Sequence, residues 1–352
     1  MSKKVNKYKK AGVNINEGNK FVKLIKKKIF STHNKGAIKD LGSFAGFFDI
    51  SILKYKNPIL LSATDGVGTK IKIAQDLNKY KWIGEDLVAM CLNDILVHGG
   101  KPIFFLDYIA VAKLKKKMAV EIIDGIVKGC KGSRCSILGG ETAEMPGLYK
   151  NDDFDLAGFA VGIVEKKNLI TGSNIKEGDE VFGLKSTGFH SNGFSLIRYI
   201  LKKKKISYKK KISKEIVNLG EFLLKPTKIY TKIISELTKD NLVNGICHIT
   251  GGGIIDNLPR ILPKKLGLNF ENHNWKLPYI YKWFKNQGDI SFDEMLKVFN
   301  CGIGMIITCS PKNKKIVLRK LKNKNEPFFN LGKIVRNNGK IELNYLKKDW
   351  EC

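Results

Sequence analysis

The stretch Ser62-Ala-Thr-Asp-Gly-Val-Gly-Thr-Lys70 places an acid, two spaced glycines, a hydroxyl and a cation at the end of an apolar run. Glycines let backbone N–H groups come close to phosphate oxygens, and a helix that opens there adds positive potential. Lys70 can neutralise a polyphosphate, whereas Asp65 repels one unless a cation stands between them. The pattern therefore points to a magnesium–nucleotide site rather than a bare anion cradle. Its spacing is not that of a Walker loop, because four residues do not separate Gly68 from a Gly-Lys-Ser/Thr triplet. Taken alone, the same glycines would also suit an ordinary tight turn.

Two further acids stand at comparable places. Asp94 projects between Leu87, Met90 and Cys91, in the middle of the apolar arc of a helix expected over 83–98. A buried carboxylate needs a partner, either a metal shared with Asp65 or a hydrogen bond from a neighbouring loop. Glu141 follows a short apolar run and Gly139-Gly140. Asp65, Asp94 and Glu141 together suit an octahedral magnesium that bridges phosphates.

The elements that must position these groups can be read from periodicity and breakers. Helices are expected over 16–29, 71–77, 83–98 and 118–131, and strands over 58–63, 103–112, 135–138 and 155–164. A second half restarts with a strand over 180–185, which turns at Ser186-Thr-Gly-Phe-His-Ser-Asn-Gly193 into a helix over 194–204. Ser191 or Asn192 can cap that helix, and its N-terminus offers a second anion seat. A strand over 245–249 meets Thr250-Gly-Gly-Gly253 in the same design and runs into a helix over 254–262. Helices over 216–224, 226–238, 292–298 and 312–322 follow the same reading, with strands over 305–309, 329–335 and 340–346. The result is an α+β or α/β chain of two domains, divided at 1–170 and 171–352.

Composition narrows the class. No segment has the apolar length to cross a bilayer, and the basic N-terminus lacks a signal core, so a cytoplasmic location is expected. Seven scattered cysteines without a C-x-x-C pair argue against a disulfide framework or structural zinc. The net charge of +30 is carried almost wholly by lysine, in runs such as 202–205 and 209–211. Arginine, the residue suited to bidentate base and phosphate recognition, is scarce, so no specific nucleic-acid partner is expected.

The ordered blocks identify a family. Tyr8-Lys-Lys-Ala-Gly-Val13, Thr64-Asp-Gly-Val-Gly-Thr-Lys70, Asp86-Leu-Val-Ala-Met-Cys-Leu-Asn-Asp94, Phe104-Phe-Leu-Asp-Tyr108, Gly139-Gly-Glu-Thr-Ala-Glu-Met-Pro-Gly147, His190-Ser-Asn-Gly193, His248-Ile-Thr-Gly-Gly-Gly253 and Phe299-Asn-Cys-Gly302 resemble the phosphoribosylformylglycinamidine cyclo-ligases, also called aminoimidazole ribonucleotide synthetases. The resemblance implies an N-terminal mixed-sheet domain that pairs with its twin in a homodimer, closing two small sheets into a barrel. It implies a C-terminal sheet flanked by helices, and ATP as co-substrate in a cleft. The implied reaction takes formylglycinamidine ribonucleotide to aminoimidazole ribonucleotide in purine biosynthesis. Other ATP enzymes of the superfamily, such as formylglycinamidine ribonucleotide synthetase or selenophosphate synthetase, are the nearest alternative. A basic nucleic-acid binder without catalysis is the more distant one, and the three acids oppose it.

Carried onto this sequence, the resemblance gives ATP to Gly66, Val67, Gly68, Thr69, Lys70, Asn93, Asp94, Gly139, Gly140 and Glu141, with magnesium on Asp65, Asp94 and Glu141. It gives the substrate to His190, Ser191, Asn192, Gly193, Thr250, Gly251, Asn300 and Cys301. Asp65 and Lys70 act on the transferred phosphate, and His190 or His248 relays a proton, as a side chain titrating near neutrality can. One departure concerns the loop Leu41-Gly-Ser-Phe-Ala45, where the family has a richer Leu-Gly-Gly-Phe-Gly. Ser43 and Ala45 restrict positive φ in a loop expected to close over ATP.

Overall fold

The computed structural model describes residues 7–39, 43–150, 152–270, 275–343, 346–347 and 350. Leu41 and Gly42 of the departing loop and the tail at 1–6 lie outside these residues; of the strand expected over 340–346, residues 344 and 345 lie outside them and the described part is strand only at Ile341–Glu342. The chain packs as two units, one holding Met1–Ile95 with Lys101–Glu165, the other Leu96–Gly100 with Lys166–Cys352.

Unit 1 contains α1 (Lys7–Lys10), α2 (Ile15–Phe30), β1 (Pro58–Gly66), α3 (Lys70–Leu77), α4 (Lys81–Leu96), β2 (Lys101–Val111), α5 (Lys116–Gly132), β3 (Ser136–Glu144) and β4 (Phe154–Glu165). Asn14 caps α2 by accepting from the Glu17 N–H, and Phe21, Ile25 and Ile29 form its buried stripe. The four strands form one sheet in the order β1-β4-β2-β3, with β2 and β3 parallel and the other pairs antiparallel. Helices α4 and α5 touch backbone to backbone. A Cβ on Gly125 would stand 1.8 Å from the Lys81 carbonyl oxygen, and one on Gly84 2.1 Å from that of Ile122.

The opposite face of this sheet keeps Leu60 57% and Phe159 45% exposed. Ser62 and Thr64 are exposed beside them, and Phe104, Leu106 and Val161 are half-buried. These residues alternate with less exposed ones, as the period of two requires.

Unit 2 contains β5 (Glu180–Lys185), α6 (Phe194–Lys203), α7 (Leu219–Leu223), α8 (Thr231–Lys239), β6 (Gly245–His248), α9 (Gly253–Asn257), β7 (Leu266–Phe270), α10 (Tyr279–Gly288), α11 (Phe292–Val298), β8 (Ile303–Cys309), α12 (Lys314–Asn323), β9 (Phe328–Arg336) and β10 (Ile341–Glu342). Its sheet runs β10-β7-β9-β5-β8-β6. Phe182, Leu184, Ile234, Leu237, Met305 and Ile307 are among the buried residues of its core.

Several expectations need correction. The runs Asp65-Gly66 and Gly139-Gly140-Glu141 are strand, not turn: they pair across the sheet in β1 and β3. The helix expected over 226–238 begins only at Thr231, and that over 254–262 is one short α-turn followed by a 3₁₀ turn at Leu258–Ile261. The latter change accords with Pro259, which has no N–H to donate back into the α-helical ladder.

Candidate functional site

Each unit has its own set of candidate groups. In unit 1, Asp65 of β1 pairs with Gly158 of β4, Gly158 with Asp107 of β2, and Asp107 with Gly140 of β3. Register partners share a face, so a row of Asp, Gly, Asp and Gly crosses the sheet beneath α4. The glycines leave room for the acids and the helix. A Cβ on Gly140 would stand 2.5 Å from Asp107 Oδ1, and one on Gly158 3.0 Å from Cys91 Sγ.

Asp65 and Asp94 are both half-buried. Burial pushes the Cys91 thiol up, the Asp65 charge pushes it further, the Asp65 backbone N–H lowers it and the Asp94 charge raises it again. Asp65 shares the face of Gly158, which lies against Cys91 of α4, and Asp94 stands three residues beyond Cys91 on that helix. Glu141 does not join them. It follows Gly140 by one residue, takes the opposite face and is exposed. Among the described residues no three His, Cys, Asp or Glu side chains are grouped to hold a metal ion. The expected three-acid set is thus not assembled within this chain, because the period of the strand turns one member away.

Asp107 was not singled out from the sequence, yet it is the buried acid of the row. Burial pushes its carboxyl up to about 7; its own backbone N–H lowers it, and Glu141 adds to the rise. The signal that could have found it is the facing glycine, invisible until the strands are registered.

The turn between β1 and α3 is Val67-Gly68-Thr69. Gly68 has φ +67° and nothing within 4 Å of where its Cβ would stand, so this stretch of backbone is open to an approaching ligand. The Gly66 N–H, expected to face phosphate, instead donates to Asp65 Oδ1 at 2.7 Å. Asn93 is fully buried on α4.

Lys70 departs most from expectation. Its side chain and that of Asp86 are both 0% exposed, and Nζ lies 2.7 Å from Asp86 Oδ2. Burial lowers the pKa of Lys70, while Asp86 and then Glu85 raise it. The ammonium expected at the phosphates is therefore inside the unit, drawn in because a buried carboxylate needs a cation.

In unit 2 the ends of β5 and β6 and the start of β8 lie at one end of the sheet, since β8 is antiparallel to both. This brings together the turns that carry His190, Ser191, Asn192 and Gly193, then Thr250 and Gly251, then Asn300 and Cys301. The Ser186 N–H donates to the Gly302 carbonyl at 2.9 Å, and a Cβ on Gly251 would stand 3.5 Å from Asn192 Oδ1.

Several of these residues are occupied by structure. Asn300 is 4% exposed. Its Nδ2 donates to the Gly188 carbonyl at 2.9 Å, and its Oδ1 accepts from Tyr281 Oη at 2.6 Å and the Gly302 N–H at 2.8 Å. It is a bracket between two turns rather than a pocket wall. Cys301 is buried, burial pushes its thiol up, and Sγ donates to the Met295 carbonyl. It is a packed residue, not an activated one.

His190 has φ +58° and is 1% exposed. Its Nε2 accepts from the Thr187 N–H at 3.3 Å and the Lys228 N–H at 3.5 Å. Its ring fills the space over Gly304, where a Cβ would stand 2.3 Å from Cε1. His248 ends β6 at 6% exposure. The N-cap of α6 is Gly193 with φ +77° and no side-chain cap, so neither Ser191 nor Asn192 caps the helix as expected. Ser191 Oγ instead meets Thr227 Oγ1 at 3.0 Å.

Beside the Asn300 bracket lies a cavity of about 460 Å³, whose wall includes Lys185, Lys276, Phe222, Tyr281 and Phe329 and, among the described residues, no acid. Lys185 Nζ stands 4.8 Å from the centre of the Phe329 ring.

Comparison with known proteins accords with this architecture. The family model for the AIR synthase related protein N-terminal domain matches residues 49–164, and that for the C-terminal domain matches residues 176–344. The phosphoribosylformylglycinamidine cyclo-ligase of Thermoanaerobacter sp. (strain X514) is 50% identical over 337 residues, covering 96% of this chain and 99% of the relative. That of Lawsonia intracellularis (strain PHE/MN1-00) is 46% identical over 331 residues, covering 94% and 95%. Among solved structures, thiamine-monophosphate kinase from Stenotrophomonas maltophilia K279a superposes with a TM-score of 0.64 at 14% identity, covering 91% of this chain and 94% of that one. E. coli HypE, a hydrogenase maturation protein, gives 0.62 at 12% identity, covering 90% and 92%. At such identities the likeness speaks for the fold alone.

Proposed function

The chain belongs to the phosphoribosylformylglycinamidine cyclo-ligase family, and we propose on that basis that it converts formylglycinamidine ribonucleotide and ATP into aminoimidazole ribonucleotide, ADP and phosphate, a step of purine biosynthesis. The observation that carries this reading is identity of about half the residues along nearly the whole of both chains. The chemistry agrees with it. An amide oxygen is a poor leaving group, and transfer of the γ-phosphoryl group to the formyl oxygen makes it a good one. The ribosyl-bearing amidine nitrogen then attacks the formyl carbon, phosphate departs, and the nitrogen gives up a proton. Phosphoryl transfer needs positioning and charge on the phosphates more than a covalent nucleophile, so the packed state of Cys301 is no obstacle.

We assign the nucleotide to the Val67–Gly68–Thr69 turn after β1, with Gly139 and Gly140 of β3 on the other edge strand of the same sheet. Asp65 and Asp94 fit a magnesium ion that arrives with the phosphates, since such an ion takes one or two carboxylates and completes its shell with phosphate and water. Bound there, it would offset charge on the transferring group. In unit 2 the ribose 5′-phosphate is assigned to the N-terminus of α6 at Ser191, Asn192 and Gly193, with Thr250 and Gly251 beside it. Lys185 and Lys276 of the adjoining cavity add positive potential.

We assign a second copy of the chain to the open face of the unit 1 sheet. Leu60 and Phe159 there leave apolar surface exposed on a face that a twin sheet would cover, and Glu141 stands on that face. Among the described residues no helix is long and apolar enough to cross a membrane. Among the described residues six cysteines are free and buried, which agrees with a reducing, cytoplasmic setting.

The direct test supplies the purified chain with ATP, with and without formylglycinamidine ribonucleotide. ATP consumption should require that substrate, and the imidazole product should appear one for one with ADP. ATP hydrolysis indifferent to the substrate would reject the reading.

A further inference from the structure

We propose that Lys70 and Asp86 are positioning residues: a buried ion pair that sets the nucleotide turn against the helix bearing Asp94, with Lys70 making no contact to phosphate. The inference rests on the nucleotide reading of the turn at 67–69. A cation directly after a glycine turn would ordinarily be given to the phosphates. Here its side chain runs inward, and both partners are 0% exposed at 2.7 Å.

Apolar residues near Lys70 in the chain are buried with it. Val67, Ile71 and Ile73, which bracket Lys70 in the chain, are 1%, 4% and 0% exposed. The location of the pair explains its use. Lys70 is the first residue of α3, so it closes the turn that follows Asp65. Asp86 lies on α4 eight residues before Asp94, and residues four apart share a face of a helix. Asp86, Met90 and Asp94 therefore form one stripe, with the ion pair at one end and the half-buried carboxylate at the other. Tying α3 to α4 at Asp86 fixes the spacing between Asp65 and Asp94, the two acids that act on Cys91. A buried ion pair is weak evidence of stability, since an apolar pair of similar volume often does as well. Its geometric definition is what such an apolar replacement must reproduce.

That property separates positioning from contact. The experiment measures the dissociation constant of a non-hydrolysable ATP analogue with magnesium, by calorimetry on the full chain, together with the thermal midpoint. Lys70→Met and Asp86→Asn should each weaken binding by about 30-fold or more, because either leaves a buried group unpaired. The apolar pair Lys70→Met with Asp86→Val should recover binding to within about fivefold of the unmutated chain, as coupled partners do.

Two results would overturn the proposal. If Lys70 touches phosphate, the apolar pair stays as weak as Lys70→Met, and Asp86→Asn binds nearly normally. If the pair only stabilises the fold, Lys70→Met lowers the midpoint but binds the analogue like the unmutated chain. Should the apolar pair not fold, the comparison of Asp86→Asn with Lys70→Met still decides between contact and positioning. Analogue binding by an unmutated chain that never turns over formylglycinamidine ribonucleotide would reject the proposed reaction and leave this inference standing.

Discussion

Asp94→Asn and Asp65→Asn are each expected to lower turnover roughly 10²-fold or more while the chain folds normally, the scale found when one electrostatic stabiliser is removed. Both acids are half-buried, so an amide of the same shape is tolerated at either place. What disappears is charge at the position assigned to the metal-bearing phosphates. The two sites should also be strongly non-additive, since both serve one ion. Steady-state kinetics with ATP and formylglycinamidine ribonucleotide, alongside thermal unfolding, would check this. An unchanged rate in Asp94→Asn would return that residue to a purely structural hydrogen bond.

The second large effect concerns the proton lost by the attacking nitrogen. His248→Gln is expected to lower kcat by about 10²-fold with little change in thermal midpoint, the lower end of what a positioned acid–base group contributes. His190→Gln should chiefly lower stability. Its ring already accepts two backbone N–H groups at Nε2 and fills the space over Gly304, so it holds the 186–193 turn in shape. His248, at the end of β6, stands where the turn of Thr250 and Gly251 begins. Equal loss of kcat in both variants at unchanged stability would contradict this division of labour.

Much of the architecture was legible because the long helices are strongly periodic. The helix expected over 16–29 is found at Ile15–Phe30, and that over 118–131 at Lys116–Gly132. The strand over 180–185 and the helix over 292–298 coincide with β5 and α11. Glycine misled in one way. Gly139 and Gly140 were read as a turn, yet Gly140 is strand because its missing side chain makes room for Asp107 on the adjacent strand. No local pattern carries that fact, since it depends on which strands are neighbours. The helix Tyr279–Gly288 and the strand Leu266–Phe270 were missed. The first is rich in aromatic residues of modest helix propensity, and the second is five residues long with Gly267 inside it.

The candidate site was legible in its members more than in their roles. All the expected residues of unit 2 do gather at one end of its sheet, but Asn300 and Cys301 are committed to packing and bracketing there. On α4 the stripe of Asp86 and Asp94 is visible from spacing alone. Which end of the stripe is buried is decided by α3 and the sheet. Periodicity points to Asp94 as the buried acid, whereas the structure buries Asp86 fully and supplies Lys70 as its partner. An ion pair across sixteen residues has no signature in composition or period.

The most direct measurement is a magnesium titration of ATP-analogue binding to the unmutated chain and to Asp65→Asn. If Asp65 and Asp94 hold a phosphate-borne magnesium ion, the analogue binds the unmutated chain at least about tenfold more tightly with magnesium than with chelator, and Asp65→Asn loses that dependence. Binding that is equally tight without magnesium, or a dependence left intact by Asp65→Asn, would contradict it.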